Sequence, residues 1–82
     1  MMDLKDTIDL MTSEDYKERF KAEYQQLEIR LDKLTTMLDK WDKNELDFTP
    51  NCPRELYNQQ VSGMVDYLNV LRTRADIEGI KL

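Results

Sequence analysis

The chain has 82 residues, with 12 lysines and arginines against 17 aspartates and glutamates, no histidine, a single cysteine and a net charge of -5. Such a length holds one domain with a modest core, and the negative balance argues against proteins that bind DNA or RNA in bulk by neutralising phosphates. One cysteine without histidine excludes an intramolecular disulfide and the usual four-ligand Cys/His zinc site.

Apolar residues make up 40% and charged residues 35% of the chain, a balance typical of long amphipathic helices rather than of disorder. The first residues, MMDLKDTIDLMTSED, are acidic where a signal peptide would be basic and then continuously apolar. No apolar run approaches the ~20 residues that cross a bilayer. A cytoplasmic protein with no membrane partner is expected.

Leu4, Ile8 and Met11 recur at spacings of four and three, which predicts a short amphipathic helix over about residues 3–10 that needs packing to persist. Thr12 and Ser13 offer N-cap hydroxyls, and Glu14 and Asp15 complement the positive end of a helix dipole. A long helix is therefore expected over about residues 14–43. Its apolar seam runs through Phe20, Tyr24, Leu27, Leu31, Leu34, Leu38 and Trp41 at alternating spacings of four and three.

Asn44, Pro50 and Pro53 interrupt this pattern and predict a turn over about residues 44–52, with Leu46 and Phe48 folding back over the end of the hairpin. Pro53 suits the first position of a second helix over about residues 53–78. There Tyr57, Val61, Met64, Leu68, Leu71 and Ala75 repeat the seam, and Gly79 suits the residue that ends it. The fold class is all-α: one domain, an antiparallel hairpin of two long amphipathic helices with a short N-terminal helix, closed into a bundle by oligomerisation.

That last expectation comes from surplus apolar residues. Ile29, Met37, Leu56, Val65, Tyr67 and Val70 lie outside the two seams, and a two-helix hairpin cannot bury both sets. A second copy is the simplest partner to cover the remainder, a homodimer being the smallest closure. The expected packing or oligomer seam is Leu27, Leu31, Leu34, Leu38 and Trp41 on the first long helix with Val61, Met64, Leu68 and Leu71 on the second.

Chemistry is sparse. Cys52 lies between Asn51 and Pro53 near a helix start, where a thiol can be activated, but a nucleophile also needs a base and no histidine supplies one. The Glu-x-x-His pattern of helical-bundle metal sites is missing too. No catalytic residue, metal site or cofactor is expected, and the chain reads as a non-enzyme. Gly63 within the second helix costs ~1 kcal/mol relative to alanine, which suggests a tight helix crossing or the floor of a small site. Arg72 and Arg74, with Tyr67, are the candidate anion-binding residues, since guanidinium pairs bidentately with phosphate; the alternative is that these arginines complement the helix dipole.

The segments DYKERFKAEY, KLTTML followed by KW, LDFTPNCPRELYNQQ and YLNVLRTRADIEGIKL resemble small uncharacterised proteins of Gram-positive phages and prophages, over about residues 15–82. The resemblance implies a phage origin and residence in the host cytosol, and carries no activity. Phages encode many short acidic proteins that block host defence, and the viral sponges for cyclic nucleotide signals are similar in architecture as oligomers of helical hairpins. Three functions follow as expectations: a binding protein that occupies a host protein, a structural or assembly component of a phage complex, and an oligomeric sponge for a small nucleotide signal.

Overall fold

The computed structural model describes residues 2–82 and measures 43 × 24 × 18 Å. Asp3 and Asp6 open it with a reciprocal capping arrangement around a 3-10 turn, Leu4–Thr7, which continues into the one-turn helix α1, Ile8–Met11. Two long helices follow, α2 (Tyr16–Asp42) and α3 (Arg54–Glu78), and no strand occurs among the described residues.

Local chemistry sets the helix ends. The cap of α2 is Asp15, whose side chain accepts a hydrogen bond from the Lys17 amide at 3.0 Å. Ser13, one of the two hydroxyl residues expected as a cap, instead accepts from the Asp15 amide at 3.0 Å. A charged carboxylate is the better acceptor at the positive end of a 27-residue helix. At the other end Asn44 takes a left-handed φ of 57°. The amide of Glu45 then donates to the Lys40 carbonyl at 2.8 Å, and that of Asn44 to the Trp41 carbonyl at 3.1 Å. Gly79 ends α3 in the same way at φ 70°, with the Ile80 amide donating to the Ala75 carbonyl at 2.8 Å. Ile80 is thereby turned inward and buried, packing into the same cluster as Ala75.

The α2 and α3 helices fold back on each other. Phe20 and Leu27 meet Leu68, Leu71, Ala75 and Ile80 in one cluster, flanked by Tyr24, Leu31 and Met64. At the end of the hairpin where α2 begins, Arg74 donates to the Tyr16 hydroxyl at 2.8 Å and that hydroxyl to Glu78 at 2.9 Å. At the other end Trp41 meets Tyr57 edge to face, with ring centroids 5.8 Å apart. Arg54 stacks over Trp41 and forms a fork with Asp42 at 2.5 and 3.2 Å. Leu46 is half-buried in the connection, whereas Phe48 stays 54% exposed instead of folding under the hairpin.

The N-terminal turn and α1 pack on α2 alone, on a face separate from the one that receives α3. Ala22 and Ile29 are buried there, so one of the surplus apolar residues is covered within the chain. Thr7 fastens this layer: fully buried, its hydroxyl donates to the Leu4 carbonyl at 2.7 Å and accepts from Gln26 Nε2 at 2.8 Å.

Candidate functional site

Three layers with α2 in the middle leave a channel on one flank, between the N-terminal segment and α3. This cleft has a volume of about 650 Å³, within the ~300–1,000 Å³ range of small-molecule sites. Its floor is α2, through Gln25, Ile29 and Thr35; α3 supplies Val61, Val65 and Arg72 as one wall, and Met2 stands on the other side. Helix periodicity explains the grouping, because residues three and four apart share a face.

The cleft joins an apolar lining to a few convergent polar groups. Gln25 Oε1 is buried without a hydrogen-bond partner among the described residues, a state that costs ~1–3 kcal/mol unless a donor arrives. Arg72 is held in place by two contacts: its guanidinium lies 5.7 Å from the centre of the Tyr24 ring, and its Nε donates to the Tyr24 hydroxyl at 3.0 Å. A third comes from Nη1, which donates to Asn69 at 3.3 Å. The rim also carries Glu28 and Asp32, so it is mixed in sign rather than uniformly cationic.

The three candidate anion-binding residues do not converge within one chain. Arg72 lines the cleft, but Arg74 lies over the Phe20 ring at 5.0 Å and pairs with Glu78 at 3.3 Å. Tyr67 donates its hydroxyl to Glu23, and this bond raises its pKa above the ordinary tyrosine value, with burial adding to the effect. Two residues apart on a helix is roughly 200° of rotation, so Arg72 and Arg74 face opposite flanks of α3. Among the seam residues, Leu27, Leu38, Leu68 and Leu71 are buried, while Leu31, Leu34, Trp41, Val61 and Met64 are half-buried.

Two further expectations concern the connection and α3. Cys52 is an exposed free thiol outside the cleft. Gly63 neither marks a tight crossing within the chain nor floors a site, since a Cβ built there meets nothing within 4 Å. It points away from α2, outside the Val61, Met64, Leu68 seam. Gln25 and Thr35 escaped the sequence reading because a polar residue on an amphipathic helix reads as solvated surface. The signal that could have marked them is their position beside Ile29, an apolar residue outside the main seam.

A family model described as Sequestin matches residues 14–77, which takes in α2, the connection and nearly all of α3. The chain belongs to the Sequestin family. The match includes the α2 and α3 sides of the cleft and leaves out the N-terminal turn and α1. No curated protein and no solved structure matches the chain significantly. No helix among the described residues is long and apolar enough to cross a membrane.

Proposed function

We propose that this Sequestin-family protein is a non-enzymatic sequestering protein that holds a small nucleotide-type signal in the cleft between the N-terminal segment and α3. The observation that carries the reading is the buried, unpartnered carbonyl oxygen of Gln25 in an apolar-lined cleft bordered by Arg72. A nucleobase suits that combination: its faces pack against Ile29, Val61 and Val65, and an exocyclic amine donates to Gln25 Oε1. Arg72 is then the group for a phosphate, with Nη2 as the donor not engaged with Tyr24 or Asn69. Binding alone removes a signal from its receptor, so the role needs no chemical step. The family's name fits sequestration. In a phage protein acting in the host cytosol, that role would counter defence.

Glu28 and Asp32 on the rim favour a second reading, in which the cleft receives a basic amphipathic helix of a host protein. A structural role in a phage assembly would need neither group. Calorimetric titration of the purified protein with mononucleotides, linear dinucleotides and cyclic oligonucleotides separates these readings. Saturable binding is expected, with the ligand recovered chemically intact after denaturation and affinity lost at least tenfold in Gln25→Leu and Arg72→Ala. Failure of every nucleotide to bind at millimolar concentration would overturn the nucleotide reading, and recovery of a cleaved product would overturn the non-enzymatic one.

A further inference from the structure

One side of the cleft belongs to an element held far more loosely than the hairpin. The N-terminal segment runs antiparallel to α2 along the stripe Ala22, Gln26, Ile29 and Lys33, spaced four, three and four residues apart. Its contacts fix this course. The Ser13 carbonyl accepts from Arg19 at 2.8 Å, Thr7 and Met11 accept from Gln26 at 2.8 and 3.2 Å, and Asp3 pairs with Lys33 at 3.6 Å. Met2, beyond the last of these, borders the cleft.

The attachment is weakest beside the cleft. The Asp3–Lys33 pair has both side chains more than half exposed, and ion pairs in such a setting contribute little. Among the described residues of the segment only Thr7 is buried; Leu4 and Leu10 are half-buried, and Ile8 and Met11 stay 50% and 46% exposed. Against that small burial stands the conformational entropy of ordering about ten residues. The hairpin keeps its own apolar cluster, to which the segment contributes no side chain. The α2 and α3 helices therefore stay packed when the segment lifts.

We infer that Asp3–Met11 is a strap that lifts from α2 as a unit, turning at residues 12–14, and that its opening releases what the cleft holds. The inference rests on the reading of the cleft as a binding site, whatever its ligand. With the strap closed, Met2 stands across from Val61, Val65 and Arg72, so a bound molecule is walled on both sides above the α2 floor. Lifting the strap takes one wall away and leaves the rest in place. A molecule that touches Met2 favours the closed state by that differential contact, and its escape scales with the open population. Sequestration depends on slow release, which a closing wall supplies without any chemical step. The family match begins at residue 14, so the matched region supplies the floor and one wall, and the strap lies outside it.

Thiol labelling in a Cys52→Ser background tests the inference. Ala22 and Ala75 are 1% and 2% exposed, the first on the stripe under the strap and the second between α2 and α3. Ala22→Cys should react with a maleimide about tenfold faster than Ala75→Cys, or more. Its rate should rise shallowly with urea, whereas that of Ala75→Cys should climb steeply. Thr7→Val, which removes the strap's buried hydrogen bonds, should speed Ala22→Cys labelling about tenfold. Anilinonaphthalene sulfonate serves as the cleft probe, because its apolar rings and sulfonate suit the lining and Arg72. Its release, followed by stopped-flow fluorescence, should quicken in Thr7→Val by the same factor as the labelling, and Val65→Asp should abolish its binding. Equal labelling of the two cysteines would overturn the inference. So would dye release indifferent to Thr7→Val, or dye binding that survives Val65→Asp. Nucleotides that fail to bind while the dye behaves as expected would overturn the proposed function alone.

Discussion

Thr7 is the point at which the wall of the cleft is fastened to its floor, and its replacement by valine isolates that connection. Valine keeps the shape and removes the hydroxyl, so the Leu4 carbonyl loses a donor at 2.7 Å and the Gln26 amide loses its oxygen acceptor at 2.8 Å, keeping only the weaker Met11 sulfur at 3.2 Å. Thr7 is fully buried, so water cannot readily replace those bonds, and the expected cost is about 1–3 kcal/mol. For a domain of this size that is a fall in Tm of roughly 4 °C or more. The second mutation, Gln26→Leu, removes the other member of the pair. With both polar groups gone no unsatisfied donor remains at the contact, so the double variant should be more stable than the sum of the two single losses by at least about 0.5 kcal/mol. Urea unfolding followed by circular dichroism measures all four proteins. Hydrogen exchange adds a local readout, because the N-terminal segment packs on α2 alone and should open before the hairpin does. Additivity within about 0.3 kcal/mol, or unchanged exchange at Leu4–Met11, would refute the reasoning.

Gly79→Ala forces a Cβ onto a residue at φ 70° with open space around it, so the cost is one of backbone conformation alone, about 1 kcal/mol; thermal unfolding should show it, and an unchanged Tm would mean that the end of α3 relaxes freely. Asp42→Asn tests the fork with Arg54. The hydrogen bond from Arg54 holds the Asp42 carboxyl below its ordinary range. A lowered folded-state value makes its contribution present above the unfolded pKa, near ~4, and lost as pH falls through the folded value. The Tm difference between wild type and Asp42→Asn should therefore be constant at neutral pH and vanish in strong acid; a difference that persists below about pH 2 would assign the effect to something other than ionisation.

The hairpin was legible because each long helix repeats its apolar residues every three or four positions for six turns or so, and such a pattern has one economical burial. Helix ends were legible where backbone chemistry is restrictive, at Asn44 and Gly79, and were displaced by a few residues at Asp15, where hydroxyls and carboxylates compete for the same amides. The position of the short N-terminal segment was not legible. Leu4, Ile8 and Met11 predict an amphipathic turn but not which of several apolar faces receives it, and the deciding contact is a hydrogen bond between Thr7 and Gln26, 19 residues apart.

The candidate site was less legible for a geometric reason. Arg72 and Arg74 are neighbours in sequence and look like a pair, but a helix turns 100° per residue and sends them to opposite flanks. The same rotation separates two surfaces along α3. Val61, Val65 and Arg72 face the cleft, whereas Tyr67 and Arg74 lie on the other flank, bonded to Glu23 and to the Tyr16 hydroxyl across the hairpin. Residues that crowd one stretch of sequence thus divide between a ligand-sized recess and polar contacts across the hairpin. Loss of ligand affinity in Arg72→Ala should accordingly not be reproduced by Arg74→Ala, because the two guanidinium groups lie on different flanks of one helix; an equal loss in both titrations would refute this division.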